Sequence, residues 1–298
     1  MRKHSFRKVV SALVVILTTS GASAQSDVER ILPSAADPRI QRFNDPNVVL
    51  NAGRATRDAP LVVFLPGTNG GQYAPMLLLR TIAGQGYRVL YLPYNNTPAV
   101  AQVCPPRPPQ CSARFRTARV FGGTGPVSNP PAESIVSRLT AVLRYLDRRH
   151  PELGWAGYLT PGERPLWPRI VVSGLSQGAG MAAFIAKRFP VNRVVLFSSP
   201  WDEFGPRRQP APWLFERSAT PPGRWWAERH ARENTTELLA HAYTALRIPR
   251  NHQFVFDGEL PPAAQGDNPY HASTVYSPAY ASQWRAMFGE VSGRRGQP

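Results

Sequence analysis

Two cysteines in 298 residues are too few to staple the fold of a small disulfide-rich protein. The sequence also lacks a repeat. Its 32 prolines and 23 glycines lie between apolar runs and follow no period, which excludes a collagen-like or low-complexity array. With 42% apolar residues the chain is too hydrophobic for a disordered tail. The composition therefore predicts a loop-rich globular domain.

The N-terminus has the three parts of a secretory signal peptide. Four basic residues lie within positions 2–8, an apolar stretch follows at 9–17, and Ala22-Ser23-Ala24 supplies small residues for cleavage. The apolar stretch is too short to anchor the mature protein in a bilayer, and no cysteine follows the cut for lipid attachment. We therefore expect cleavage before Gln25 and a periplasmic or secreted protein.

The formal net charge of +16 does not by itself indicate a nucleic-acid partner. Removal of the signal peptide takes away four of the 35 basic residues and leaves a charge of +12. The other basic residues are scattered, are not interleaved with stacking aromatics, and match no nucleic-acid-binding motif. We expect no nucleic-acid partner and no stable membrane anchor, but a weak contact with anionic surfaces of the cell envelope.

The cysteines, Cys104 and Cys111, are separated by a short proline-rich segment. Because an exported protein meets an oxidising compartment, we expect a disulfide bond that closes this loop.

Apolar runs alternate with helical patterns after residue 59. Strands are predicted at 61–65, 87–92, 169–173, 193–198, 224–227 and 253–256, and helices at 72–83, 129–149, 177–189 and 235–246. This alternation predicts an α/β fold with a doubly wound, mostly parallel sheet over 59–298. Residues 25–58 are predicted to form an N-terminal arm, and 94–131 and 200–224 to be loop-rich insertions.

A G-x-S-x-G motif lies between a predicted strand and a predicted helix. It runs from Gly174 to Gly178, with Ser176 at its centre. A serine on such a sharp turn exposes its hydroxyl beyond the sheet edge, and the N–H of Gln177, at the start of the helix, can stabilise an oxyanion. The motif predicts a nucleophilic serine. The alternative is a glycine-rich turn needed only for close packing.

A nucleophilic serine needs a base, and His271 is the histidine in the most suitable position. It follows the last predicted strand, in a loop after Asn268-Pro269-Tyr270, where the base falls in a chain order of serine, acid and histidine. His230 is the other histidine that the predicted topology leaves open.

The acid partner stays open among three carboxylates that follow predicted strands. Glu233 follows the strand at 224–227 and is the preferred candidate, Asp202 follows the strand at 193–198, and Asp257 follows the last strand. For each, the alternative is a surface carboxylate that is solvated or paired with arginine.

The second oxyanion donor is expected in the loop after the first buried strand. In the segment 66–71 the glycines let the backbone approach a substrate, and the N–H of Thr68 is the expected donor. No dinucleotide fingerprint and no phosphate-binding P-loop is present.

Aromatic and polar residues near these loops are the expected substrate-lining side chains. They are Asn69, Tyr73, Trp201 and Tyr270. Such a surface suits a hydrophobic acyl or aryl group. The alternative is that the aromatics pack the insertions onto the domain.

The segments Leu65-Pro66-Gly67-Thr68 and Gly174 to Gly178, together with His271, resemble the alpha/beta-hydrolase superfamily over about residues 60–290. Three further segments, centred on Gln177, Trp201 and Tyr270, are similar to a group of exported bacterial hydrolases. The resemblance implies a Ser/His/acid hydrolase of ester or related acyl bonds that uses no cofactor and no metal. One departure is Pro66-Gly67, where the superfamily usually has His-Gly, so the position of the second oxyanion donor is left open.

Two other functions are compatible with these motifs. A non-catalytic protein of the same fold could bind a component of the cell envelope, and in that case Ser176 would have no base nearby. An acyltransferase would form the same acyl-enzyme and pass the acyl group to an alcohol or a sugar instead of water.

Overall fold

The computed structural model describes residues 28–50, 55–260 and 268–291. The signal peptide predicted for residues 1–24 and the first residues of the arm lie outside this range. No described helix combines the length and the apolar content needed to cross a bilayer.

The described residues form ten strands and nine α-helices. The strands are β1 Val28–Ile31, β2 Asn47–Leu50, β3 Leu61–Leu65, β4 Arg88–Tyr91, β5 Ile170–Leu175, β6 Arg193–Phe197, β7 Glu203–Phe204, β8 Gln209–Pro210, β9 Trp225–His230 and β10 Gln253–Phe256. The helices are α1 Pro33–Ala36, α2 Met76–Gly84, α3 Val100–Val103, α4 Cys111–Phe121, α5 Ile135–Arg149, α6 Gln177–Arg188, α7 Thr236–Ala245, α8 Pro269–Tyr276 and α9 Ala281–Phe288.

Eight of these strands form one mostly parallel sheet in the order β1-β2-β4-β3-β5-β6-β9-β10. From β4 to β10 all neighbouring strands are parallel, whereas β2 runs antiparallel to both β1 and β4. The prediction of a doubly wound α/β fold is confirmed. Because the central strands are parallel, their carboxyl ends meet at one edge of the sheet.

Apolar side chains cover both faces of the sheet. In β3, Leu61, Val63 and Leu65 contribute to one apolar cluster, which includes residues of α4, α5, α6 and α7. The alternate residues Val62 and Phe64 contribute to a second cluster with α2, α8 and α9. This double burial explains why the strand is apolar at every position.

The N-terminal arm is more regular than its sequence indicates. Residues 28–50 carry β1 and β2, which extend the sheet by two antiparallel strands, with Val49 paired to Leu90 of β4. The segment 25–58 is polar, contains several prolines and shows no clear periodicity, so its sequence gives no strand signal.

The insertion at 94–131 also holds more structure than predicted. It contains α3 and α4, and the predicted disulfide between Cys104 and Cys111 is confirmed, with a Cα–Cα distance of 5.4 Å.

The N-cap of α5 is Ser134, whose Oγ accepts a hydrogen bond from the backbone N–H of Ser137. Asn129, the first residue of the helix predicted at 129–149, lies outside α5, and its side chain donates to the Ala118 carbonyl near the end of α4.

Candidate active site

Ser176 lies on the tight turn between β5 and α6. Its backbone has φ 53° and ψ −124°, a strained conformation for a residue other than glycine. The turn is held by a hydrogen bond from the Ser176 N–H to the Phe197 carbonyl of the neighbouring strand β6. This is the geometry that exposes a nucleophile at the carboxyl edge of a parallel sheet.

The two glycines of the motif are required by close packing against the end of β3. A Cβ atom on Gly174 would lie 2.5 Å from the Leu65 carbonyl oxygen, and one on Gly178 would lie 2.0 Å from the same atom. Both distances are far below van der Waals contact. Any side chain at these positions would push the serine turn away from the loop after β3.

His271 and Glu233 form a hydrogen-bonded pair beside Ser176. The distance from His271 Nδ1 to Glu233 Oε2 is 3.0 Å. An ionised carboxylate only accepts hydrogen bonds, so Nδ1 carries the hydrogen and Nε2 is left as an acceptor. Ser176 and His271 border the same cavity. No hydrogen bond joins these two side chains in the described structure, as is common in the absence of substrate.

The sequence predicted a loop around His271, but the structure places this residue in a helix. It is the third residue of α8, which begins at Pro269. The indole ring of Trp201 packs against the imidazole with ring centroids 4.9 Å apart. The hydrogen bond to Glu233 and the contact with the Trp201 ring together restrict the orientation of the imidazole.

The Glu233 carboxylate is completely buried in the turn between β9 and α7. Its Oε1 accepts hydrogen bonds from the backbone N–H of His230 at 2.9 Å and from the hydroxyl of Ser198 at 3.1 Å. Its Oε2 accepts from His271. With a longer hydrogen bond of 3.4 Å from the Thr235 hydroxyl to Oε2, these donors fix the orientation of the carboxylate towards the imidazole.

The other two carboxylates considered from the sequence lie in different surroundings. Asp202 is buried in a bidentate ion pair with Arg116 and also accepts a hydrogen bond from the Trp213 indole at 2.9 Å. Asp257 follows β10 and is exposed to solvent. Among the three candidates, Glu233 is the one that contacts His271.

His230 is not available as a base, because both of its ring nitrogens have partners. Nδ1 accepts from the Arg232 backbone N–H at 3.1 Å, so Nε2 carries the hydrogen and lies 3.0 Å from the Gly258 carbonyl oxygen. Burial lowers the pKa of this imidazole. His230 is therefore a neutral structural residue beneath α8.

The loop after β3 lies directly against the nucleophile. A Cβ atom on Gly67 would lie 3.2 Å from the Ser176 Cβ. Thr68 and Gln177, the residues whose N–H groups are the expected oxyanion donors, both border the cavity next to Ser176. Gln177 is also the first residue of α6, where backbone N–H groups have no partner within the helix.

The cavity in front of Ser176 has a volume of about 730 Å³. Three of the expected substrate-lining residues, Asn69, Tyr73 and Trp201, border it. Tyr270 is different: its ring stacks on His230, with centroids 4.5 Å apart, and its hydroxyl accepts from Arg232. Tyr270 is therefore not among the residues that border this cavity, although its neighbour His271 is.

The described wall of the cavity consists of uncharged residue types and His271. No Asp, Glu, Lys or Arg occurs among the described residues that border it, and most of the others are apolar or aromatic. No group of three His, Cys, Asp or Glu side chains in the described part of the chain could hold a metal ion. The wall suits an uncharged, apolar group next to the reacting bond.

Sequence reasoning missed one wall of the cavity, formed by residues 99–102, which are the residue before α3 and the first three residues of that helix. It also missed the contribution of Tyr91 and Tyr276. The signal for α3 was its place after the end of a buried strand, at the edge where ligand sites collect in such sheets.

A second buried carboxyl, Glu228 in β9, lies behind Glu233. The hydroxyl of Ser198 is 3.1 Å from Glu233 Oε1 and 3.3 Å from Glu228 Oε1, so it is shared between the two acids. Burial, and then the negative charge of Glu233, raise the pKa of Glu228 well above its usual value. Two buried carboxyls therefore share one hydroxyl, and the raised pKa favours the protonated form of Glu228.

The strand order, the serine turn at the end of β5, and the chain order Ser176, Glu233, His271 occur together in one architecture. The chain has the alpha/beta-hydrolase fold.

No family model matches the sequence, and no curated protein matches it. Solved structures that are similar include esterase 2 of Thermogutta terrifontis with bound propionate, at 15% identity over 91% of this chain and 97% of that one, with a TM-score of 0.44. The same esterase phosphoramylated by tabun gives 13% identity over 90% and 97% of the two chains, also with a TM-score of 0.44. A proposed hydrolase of the alpha/beta superfamily from Xanthomonas campestris gives 13% identity over 78% and 95%, with a TM-score of 0.36.

Proposed function

We propose that this protein is an exported serine hydrolase that cleaves carboxylic esters through an acyl-enzyme. The observation that carries the proposal is the His271–Glu233 pair, which borders the same cavity as a serine held on a strained strand-to-helix turn. Ser176 is the nucleophile, His271 the general base and Glu233 the acid that orients it.

In the first half of the reaction, His271 Nε2 takes the proton of the Ser176 hydroxyl while Oγ attacks the ester carbonyl carbon. The oxyanion that forms is stabilised by the N–H groups of Gln177 and Thr68. Collapse of this intermediate breaks the bond to the alcohol, which takes the proton from His271. Water then attacks the acyl-enzyme by the same route and releases the acid.

The cavity limits the substrate to groups that need no ion pair. Its wall has no Arg or Lys to bind a carboxylate or phosphate and no Asp or Glu to bind an amine, within the described residues. A neutral acyl or aryl group that contacts Trp201 and Tyr73 fits the available volume.

Export is part of the proposal. The Cys104–Cys111 disulfide agrees with an oxidising compartment. The signal peptide predicted from the sequence gives the route.

The test is hydrolysis of neutral chromogenic esters by the protein from residue 25 onwards, compared with Ser176→Ala and His271→Ala. Each variant should lose on the order of a million-fold in kcat, because serine and histidine act as a unit. The exposed His241 on α7 offers a matched control, and His241→Ala should keep full activity. Hydrolysis that survives in Ser176→Ala would contradict the proposal. An added alcohol that captures most of the acyl group would show an acyltransferase.

A further inference from the structure

Asn96 is a buried amide that the catalytic scheme does not use. It lies between β4 and α3, is 3% exposed, and does not border the cavity. Its side-chain nitrogen donates to the Gly67 carbonyl oxygen at 2.8 Å. Buried polar side chains are usually hydrogen-bonded, and the partner of this amide is the backbone next to the nucleophile.

The Gly67 carbonyl accepts a second hydrogen bond, from the backbone N–H of Gly70 at 3.0 Å. A carbonyl oxygen has two lone pairs, so both of its positions are occupied. The hydroxyl of Tyr91 donates to the Gly70 carbonyl and holds the other end of this turn. The direction of the Gly67 C=O bond is therefore fixed by two donors on a tethered loop.

The same peptide unit carries the N–H of Thr68. In a planar trans peptide the C=O and N–H bonds point in opposite directions. Because the Gly67 carbonyl points to Asn96, the Thr68 N–H points away from Asn96, and Thr68 borders the cavity whereas Asn96 does not. In the described part of the chain this N–H has no acceptor, so it is free for an oxyanion.

The backbone of Asn96 is held in turn by the residue next to the nucleophile. The side chain of Gln177 donates to the Asn96 carbonyl oxygen at 2.6 Å and accepts from the N–H of Val100 at 2.8 Å. A chain of hydrogen bonds therefore runs from Gln177 through Asn96 to the Gly67–Thr68 peptide. It joins the two backbone segments that supply the oxyanion donors.

We propose that Asn96 is the positioning residue of the oxyanion site, holding the Gly67–Thr68 peptide with its N–H towards the reacting carbonyl in register with Gln177. This inference rests on the proposed ester hydrolysis. Asn96 touches no substrate and acts through the Thr68 N–H. Its loss weakens stabilisation of the transition state more than binding of the ground-state ester.

The variants are Asn96→Ala, which removes the donor, and Asn96→Asp, which keeps the size but turns an acceptor towards the Gly67 carbonyl. Asn95 is the matched control, since it is equally buried but donates to Asn129 and not to the loop. We expect Asn96→Ala to lower kcat by roughly ten- to a hundredfold with KM nearly unchanged, since losing an oxyanion donor outright costs about a hundredfold or more. Asn96→Asp should lower kcat at least as much, and Asn95→Ala less than about threefold.

A second readout separates positioning from general damage. Affinity for a trifluoromethyl ketone, which forms a tetrahedral oxyanion on the serine, should fall in the Asn96 variants by the same factor as kcat/KM. Thermal unfolding midpoints for the Asn95 and Asn96 variants show whether stability accounts for the loss. If only Asn96→Ala fails to fold, Asn96→Asp decides the question alone.

Equal kcat and equal ketone affinity in the Asn96 variants and Asn95→Ala, with an active parent protein, would overturn the role of Asn96 alone. A parent protein without Ser176-dependent hydrolysis would overturn this role together with the proposed function. The two failures are therefore distinguishable.

Discussion

Two buried carboxylates, Asp202 and Glu233, follow neighbouring strands of the same sheet and have different surroundings. Asp202 follows β6 and is neutralised by Arg116 from α4, with a further hydrogen bond from an indole. Glu233 follows β9 and has no arginine or lysine ion-pair partner in the described part of the chain; its ionisable partner is His271. The two carboxylates therefore share a position after a strand but differ in the side chain that they pair with.

The difference teaches what a catalytic acid needs. A carboxylate that is already neutralised by a guanidinium has little left with which to stabilise an imidazolium. Glu233 keeps its charge available to His271, because its other donors are a backbone N–H and the hydroxyls of Ser198 and Thr235. The region around Asp202 serves packing of the insertion, and the region around Glu233 serves the candidate active site.

Between the two carboxylates, the larger expected effect on catalysis comes from Glu233→Gln. The amide keeps the size of the side chain but cannot stabilise the imidazolium, and it favours the wrong tautomer of His271. We expect kcat to fall about ten-thousandfold. Steady-state ester hydrolysis measures the change, and a loss below about tenfold would place the acid elsewhere.

Asp202→Asn should lower the stability of the protein and leave catalysis almost unchanged. It leaves Arg116 buried without its counter-charge, which costs about 3–5 kcal/mol of unfolding free energy. Urea unfolding measures this loss, and kcat per folded molecule should stay within about twofold of the parent value. Replacing both partners, as Arg116→Met with Asp202→Leu, should recover most of the stability. A folded Asp202→Asn protein that has lost activity would break the comparison.

Removing the disulfide tests whether the Asp202 region depends on the tether of α4, the helix that carries Arg116. The bond closes a short loop, so Cys104→Ser with Cys111→Ser should lower the unfolding free energy by about 2–3 kcal/mol. Urea unfolding of the double variant beside the oxidised parent checks this value. An unchanged midpoint would show that α4 is held by its packing alone.

Glu228→Gln sharpens the account of the Glu233 region through pH. The folded pKa of Glu228 is raised, so from the unfolded pKa upwards folding requires uptake of a proton and the parent protein loses stability as pH rises. Glutamine carries no such penalty. The variant's advantage should therefore grow between about pH 4 and pH 7, by at most about 1.4 kcal/mol per pH unit. Urea unfolding at several pH values measures it, and a difference independent of pH would mean that Glu228 titrates alike in both states.

The sheet could be predicted because its central strands are apolar on both faces. The run 61–65 and the motif around Ser176 fall within a residue or two of β3 and of the β5–α6 turn. The strands β1 and β2 could not be predicted, because the segment that carries them is polar, contains several prolines and shows no clear periodicity.

The acid of the site could not be decided from the sequence, for a similar reason. Arg116 lies 86 residues before Asp202, and Glu233 lies 38 residues before His271, so neither pairing leaves a local signal. The direction of Tyr270 was missed because α8 has only eight residues and begins close to His271. Sequence spacing placed the candidates at one edge of the sheet, and only the fold selects among them.

The most direct measurement is the intact mass of the protein from residue 25 onwards after exposure to a fluorophosphonate, beside Ser176→Ala, Glu233→Gln and Asp202→Asn. An activated serine predicts one adduct on the parent protein, none on Ser176→Ala, strongly slowed labelling of Glu233→Gln and near-parent labelling of folded Asp202→Asn. Absence of an adduct on the parent, or equal labelling of all four proteins, would contradict the assignment of Ser176 as a nucleophile served by His271 and Glu233.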